Sequence, residues 1–266
     1  PHEVLDPRDL KFFRNQAGFF WEPQDDPFRW RDRIPFARTG LAELFVFSLI
    51  TFGPAATLVV WLTCPDAVIS PAIRVIGWLG VTALSVMGLL IVWFFRDPPR
   101  RIPREPGLVI SPADGKVVLI EEIEQDEFLG GPAVLIGIFL SIFNVHINRA
   151  PVAGRVIGLR YKPGKYLNAL RPESARENEQ LAIRLQETQA PFRRYIVRQI
   201  TGAIARRIVC WLKPGDELSR GEQFGMIKLG SRTELVLPRE TTLKLRVKLG
   251  DTVKAGTSIL AEFESP

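Results

Sequence analysis

Two apolar runs dominate the first hundred residues. Leu44 to Cys64 carries no charged side chain, and neither does Val75 to Phe95. As helices rising about 1.5 Å per residue, both are long enough to cross a hydrocarbon core of about 30 Å. Pro54 is expected to kink the first run, which a membrane tolerates. The intervening stretch from Pro65 to Arg74 holds Pro65, Asp66, Pro71 and a single arginine, and reads as a short turn. Trp61, Trp78, Trp93, Phe94 and Phe95 lie near the run ends, as in an aromatic belt. The pattern predicts a transmembrane helical hairpin over residues 41–96. A helical hairpin buried in a soluble core would carry a similar signature.

Beyond the hairpin the period changes. Residues 97–106 form a proline-rich basic linker that cannot continue a helix. From Gly107 onward, short β-type runs are split by Gly, Pro and Asp turns. They are Leu108–Ile110, Val117–Ile120, Val134–Phe139, Val156–Tyr161, Arg194–Ile200, Arg207–Trp211, Leu243–Val247 and Ile259–Phe263. Residues Leu170–Gln186 are amphipathic and charge-rich, and read as a short surface helix or a flexible loop. The segments 213–221 and 248–256 align without a gap as K-x-G-D-x-[LV]-x-x-G. Gly-Asp supplies a tight turn and the last glycine a position of positive φ, so paired hairpins at matching places are expected. The predicted fold class is mostly β, a β-sandwich or barrel-like α+β domain over residues 107–266, behind an N-terminal two-helix transmembrane hairpin.

Composition refines this picture. The 266 residues allow one or two domains, and the 46% apolar content is concentrated in the two long runs. The net charge of +6 suits an anionic partner. Arginines cluster ahead of the first run and again after the second, at Arg96, Arg100, Arg101 and Arg104. That distribution favours lipid head groups over nucleic acid, and places both flanks on the cytoplasmic side. Residues 1–40 interleave aromatics with arginines, which fits either an interfacial segment or an irregular arm. No charged leader runs into a short apolar core with a small-residue cleavage site, so no signal peptide is expected. The start at Pro1, without methionine, reads as trimmed. Cys64 and Cys210 are far apart and give neither a disulfide framework nor a metal spacing.

Three places hold candidate chemistry. Ser111-Pro-Ala-Asp114-Gly-Lys-Val117 puts a carboxylate in a tight turn before a strand. Phe143-Asn-Val-His146-Ile-Asn-Arg149-Ala-Pro151 puts the only interior histidine among apolar residues. In Phe224–Pro238, two apolar runs flank Leu229-Gly230-Ser231. A serine after glycine in a strained turn can attack the preceding carbonyl and convert a peptide to an ester. Singly, these are an ordinary turn, a core histidine and a hairpin; together they supply a nucleophile, a base and an orienting carboxylate.

The set resembles the phosphatidylserine decarboxylase family, over about residues 96–266, through Ser-Pro-Ala-Asp-Gly-Lys-Val, Phe-Asn-Val-His-Ile-Asn-Arg-Ala-Pro-Val, Gly-Glu-Gln-Phe-Gly-Met-Ile-Lys-Leu-Gly-Ser and Lys-Leu-Gly-Asp-Thr-Val-Lys-Ala-Gly. The resemblance implies a proenzyme cleaved between Gly230 and Ser231 into a β subunit (1–230) and an α subunit (231–266). Ser231 would attack the Gly230 carbonyl, with His146 as base and Asp114 orienting it. Elimination and hydrolysis would leave a pyruvoyl group derived from Ser231, the only cofactor implied, with no metal and no pyridoxal phosphate. That group would take the serine amine of the lipid as a Schiff base, and decarboxylation would yield phosphatidylethanolamine and CO2. The implied partners are phosphatidylserine, an anionic membrane surface and the sister subunit, with sheet-edge pairing into a homodimer, at the inner (cytoplasmic) membrane. Many members carry a second histidine where Arg149 stands here, and threonine where Arg232 stands. Arg232 and Arg149 are therefore candidate substrate-binding cations. The rival reading, from the paired Gly-Asp turns, is a membrane-anchored barrel-sandwich adaptor without catalysis; it requires a coiled-coil hairpin, and no heptad run is present.

Overall fold

The computed structural model describes residues 29–203, 207–228 and 230–264. The aromatic and basic segment expected over residues 1–40 falls outside them as far as residue 28. The described chain divides into two compact units, one of residues 30–98 and one that holds the described residues from 99 onward.

In the smaller unit, the two apolar runs form α1 (Leu41–Thr63) and α2 (Pro71–Phe94). Ser70 caps α2 by accepting from the Ile73 N–H at 3.4 Å, and Pro71 takes the first turn, where its missing N–H costs nothing. Both helices are long and apolar enough to cross a membrane. They pack through glycines: a Cβ on Gly77 would lie 2.7 Å from Leu62 Cδ2, and one on Gly88 would strike the Phe52 ring. This small-residue contact suits helices in lipid, where close van der Waals approach holds them together. Phe45, Leu49, Val60, Ile76, Leu79 and Leu89 are exposed. A hairpin in a soluble core would bury them. The ends of the hairpin are tied together, with the Ala37 N–H donating to Phe95 O and the Asp97 N–H to Pro35 O, each at 2.8 Å. Arg96 stacks 4.0 Å from the Trp93 ring centroid.

The larger unit contains fourteen strands among the described residues: β1 (Leu108–Ile110), β2 (Gly115–Asp126), β3 (Gly131–Leu140), β4 (Ile147–Arg149), β5 (Gly154–Lys162), β6 (Gln180–Gln186), β7 (Arg194–Ile200), β8 (Arg207–Cys210), β9 (Glu217–Leu218), β10 (Gln223–Lys228), β11 (Ser231–Pro238), β12 (Leu243–Leu245), β13 (Thr252–Val253) and β14 (Ile259–Phe263). An eight-stranded sheet runs β13-β2-β3-β11-β7-β6-β5-β9, and two three-stranded sheets run β1-β14-β12 and β4-β10-β8. Eight predicted strand runs are present. The stretch 170–186 differs from expectation: only α3 (Ser174–Glu177) is helical, and Gln180–Gln186 is a strand. Leu181, Ile183 and Leu185 alternate inward there, a period of two that the flanking charges obscure.

The two Gly-Asp segments form matched turns, though not the hairpins expected. The strands flanking each turn pair with other strands, β9 with β5 and β13 with β2. The Lys213 and Lys248 amides donate to Asp216 and Asp251 Oδ2 at 2.8 and 2.9 Å. Gly215 and Gly250 donate to Val156 O and Val117 O at 2.7 and 2.8 Å, and Gly221 and Gly256 to Ala150 O and Ser111 O at 2.8 and 2.9 Å. The acceptors reveal a second echo, Ser111-Pro-Ala-Asp-Gly-Lys-Val117 against Ala150-Pro-Val-Ala-Gly-Arg-Val156. Ile110 N donates to Pro151 O and Arg149 N to Pro112 O, both at 3.0 Å, so the two halves clasp each other reciprocally. Asp114 breaks the internal symmetry, since Ala153 stands at the matching place.

β11 sits inside the large sheet, paired with β3 on one edge and β7 on the other. Leu235 and Leu237 join the main core on one face, while Val236 joins a smaller cluster with Leu135 and Ile196 on the other. Truncating Leu235, which is fully buried, is expected to cost about 3 kcal/mol. Denaturant unfolding of Leu235→Ala against its parent measures it. Burial pushes the Cys210 thiol up to about 12, with the Asp216 charge adding to the effect. The neutral thiol is thus favoured in the folded state, so iodoacetamide at about pH 8.5 should alkylate exposed Cys64 and spare Cys210 until the protein is unfolded.

Candidate active site

The site forms where β10 hands over to β11. Gly230 occupies the left-handed region at φ +62, a conformation that glycine takes without steric penalty. Ser231 then opens β11, opposite Leu140 of β3. Its side chain is fully buried, and its Oγ has no hydrogen-bond partner among the described residues. A buried hydroxyl left unmatched is uncommon in a native fold.

His146 is also fully buried, at the entry to β4. Its Nδ1 lies 2.9 Å from Asn144 O, and its Nε2 lies 3.1 Å from Gly230 N. A carbonyl only accepts, so Nδ1 carries the proton. Nε2 then presents its lone pair to the Gly230 N–H. Asn144 is itself held by the Ser141 amide and hydroxyl, which donate to its Oδ1 at 2.9 and 2.7 Å. The ring is thereby oriented as a neutral base against the residue preceding Ser231.

Strand periodicity continues the arrangement one step deeper. Asn148, two residues beyond His146, donates to Thr233 Oγ1 at 3.1 Å and to Pro112 O at 3.2 Å. Thr233 is two residues beyond Ser231, on the same face. Gln199 of β7 donates to Asn148 Oδ1 at 2.9 Å, completing a buried row across β4, β11 and β7.

Asp114 lies elsewhere than expected. Arg100 Nη2 meets both its carboxylate oxygens, at 3.0 and 2.9 Å, and the Ala255 N–H donates to Oδ1 at 2.7 Å. The bond that orients His146 through Nδ1 goes to the Asn144 carbonyl instead. Arg149, in the place of a second histidine, donates from Nη1 to Gly221 O at 3.1 Å, and its Cδ lies 2.9 Å from a Cβ placed on Gly256. Arg100 flanks the same glycine, so Arg149 belongs to the neighbourhood of Asp114.

Arg232 is a second correction. Alternation along β11 turns it to the sheet face opposite Ser231. There it is 4% exposed and pairs with Glu234 at 2.9 Å, and Glu234 pairs with Arg198 at 3.2 Å. Gly137 makes room for it, since a Cβ there would lie 2.7 Å from Arg232 Nη2. So placed, the Arg232 side chain lies on the sheet face away from the Ser231 hydroxyl.

The sequence profile of the phosphatidylserine decarboxylase family matches residues 87–261. The chain is a member of that family. A phosphatidylserine decarboxylase proenzyme of Rhodopirellula baltica is 47% identical over 255 residues, covering 96% of this chain and 99% of its own. Proenzymes of Symbiobacterium thermophilum and Chlorobaculum parvum are 45% and 48% identical, covering 71% and 68% of this chain and 86% and 84% of theirs. The match to the first reaches across the two apolar helices as well as the β-rich unit.

Sequence reasoning missed Asn148, Thr233 and Gln199. Asn148 stood inside a motif already singled out, but only the fold shows that it faces Thr233. It also missed the pairing of Arg100, on the linker, with Asp114. That pair is buried, at 7% and 9% side-chain exposure. Arg100→Ala would leave the carboxylate desolvated and unmatched, an expected cost of about 3 kcal/mol. Denaturant unfolding checks it, with the single variant Asp114→Asn and the double variant Arg100→Ala/Asp114→Asn closing the cycle.

Proposed function

We propose that this chain is a self-cleaving proenzyme that decarboxylates phosphatidylserine to phosphatidylethanolamine at a membrane. The observation that carries the reading is a buried Ser231 Oγ, unmatched among the described residues, next in the chain to Gly230, whose N lies 3.1 Å from Nε2 of a neutral His146.

In the cleavage step, Ser231 Oγ attacks the Gly230 carbonyl carbon, and His146 Nε2 takes the hydroxyl proton and passes it to the departing Ser231 nitrogen. The peptide becomes an ester, with Gly230 as acyl group and a free amine at residue 231. To do this the ring exchanges the Gly230 N–H for the Ser231 O–H as its partner, a shift between adjacent residues. Loss of the Ser231 α-proton then expels the Gly230 carboxylate, and water releases ammonia from the resulting dehydroalanine to leave a pyruvoyl terminus. This group supplies the electron-accepting carbonyl through which the serine headgroup of the lipid loses CO2.

The chain's own part is to hold that terminus. β11 is paired on both edges, and Asn148 ties Thr233 to β4, so the new end at residue 231 stays in place when its bond to Gly230 is gone. Removal from water by the surrounding core strengthens the proton transfers. His146, still beside that end, is suited to return a proton to the substrate carbon after CO2 leaves. The arginines flanking the helices favour both flanks on the cytoplasmic side, and the β-rich unit follows the second flank.

Intact mass of the purified protein, with and without borohydride, tests the reading. Two pieces are expected, the smaller beginning at residue 231 with a blocked terminus that gains mass on reduction. Ser231→Ala should remain one chain. A wild type that stays whole while folded, and releases no CO2 from phosphatidylserine vesicles, would instead favour the noncatalytic adaptor.

A further inference from the structure

The scissile carbonyl rests on a bare backbone. β7 and β11 pair in a constant register, Ile196 opposite Val236 through Ile200 opposite Arg232. Two further steps of the same register set Thr201 against Ser231 and Gly202 against Gly230. The contact is real: a Cβ placed on Gly202 would overlap Gly230 O and lie 3.0 Å from the carbonyl carbon. Gly202 is buried and its φ lies outside the left-handed region, so its backbone shape does not call for glycine. The demand is for space, and the atom needing the space is the oxygen of the bond to be broken.

The shelf is held from behind by a side chain with no place in the reaction. Asn178, fully buried, donates from Nδ2 to Thr201 O at 2.7 Å and to Leu167 O at 2.8 Å, and accepts from the Leu167 N–H at 2.8 Å. The Thr201 N–H and hydroxyl both donate to Glu179 O, at 3.0 and 3.1 Å. The Asn178 amide and the Thr201 N–H, hydroxyl and carbonyl are thus all matched, which steadies the corner where Ser231 Oγ is left unmatched. Ala169 closes the corner, its Cβ 3.3 Å from the position a Gly202 Cβ would take.

We infer that Gly202 is a positioning residue for chain cleavage: its side-chain-free Cα, fixed by Asn178 through Thr201, sets the rotation of the Gly230 carbonyl so that its carbon faces Ser231 Oγ. Attack on a carbonyl requires a defined approach to its face, and misplacement by about 1 Å can cost on the order of 100-fold. A methyl group at residue 202 would force the Gly230 oxygen aside by more than the strand pairing on either side absorbs. The inference rests on the self-cleavage reading. It concerns only the intact precursor, since Gly230 leaves the peptide bond once cleavage is complete.

The test follows cleavage of full-length Gly202→Ala in detergent over time, then counts pyruvoyl groups by borohydride uptake and measures decarboxylation per pyruvoyl. Cleavage is expected to slow by about 100-fold, while kcat and KM per pyruvoyl stay at the wild-type values. A general packing defect would lower both. Adding Ala169→Gly should not restore cleavage, because the obstruction is to the Gly230 carbonyl; restoration would place the clash in the neighbouring loop and overturn the inference. Cleavage of Gly202→Ala at the wild-type rate would also overturn it. If Gly202→Ala yields no folded precursor, Asn178→Ser carries the test by freeing the shelf while leaving Gly202 in place. Slower cleavage with unchanged turnover per pyruvoyl supports the inference, and wild-type cleavage refutes it. A wild type that itself stays uncleaved would refute the self-cleavage reading instead.

Discussion

Strand β11 is hydrogen-bonded along both edges, to β3 and to β7, and its first residue is Ser231. A strand so enclosed cannot slide by one residue without turning every side chain to the wrong face and breaking two ladders at once. That constraint fixes where the serine hydroxyl sits. It also dictates what lies on either side of the sheet: Thr233, Leu235 and Leu237 share the face of Ser231, while Arg232, Glu234 and Val236 share the other. Almost everything about the site follows from this partition.

On the face of Ser231, polar groups are few and most are matched. Asn144 spends its carbonyl on His146, and Asn148 bridges Thr233, Pro112 and Gln199. Among the described residues, Ser231 Oγ and Gln199 Oε1 are left unmatched on this face. On the opposite face, half-buried Arg198 and buried Glu234 and Arg232 form a charge chain. Removing Arg232 or Glu234 would leave the other buried without that partner.

The carboxylate of Asp114 illustrates how a duplicated scaffold becomes specialised. Its turn repeats much of the backbone bonding of the one near Ala153, with Gly256 donating to Ser111 O as Gly221 does to Ala150 O. The aspartate adds a ligand for the Ala255 amide and a partner for Arg100, drawing the linker segment from residue 99 onward against the β-rich unit. Arg149 lies beside the same turn, which sets a permanent cation in the neighbourhood of that carboxylate.

The class of fold was legible because its signals are local. Length and lack of charge marked the two helices, and Gly and Asp at fixed spacing marked the paired turns. Family membership was legible because Asp114, His146, Gly230 and Ser231 each stand in a short, distinctive neighbourhood. What the sequence could not determine was which of these residues touch. His146 and Gly230 are 84 positions apart, and Asp114 is 141 from Ala255, so their contacts depend on strand order and register across the whole sheet. The same holds for Arg232, whose place beside Ser231 in the chain suggested a shared pocket until the pleat turned it away. Gly202 carried no local signal at all. Only the tertiary register sets it against the Gly230 carbonyl, because close approach is a property of two backbones and not of either sequence alone.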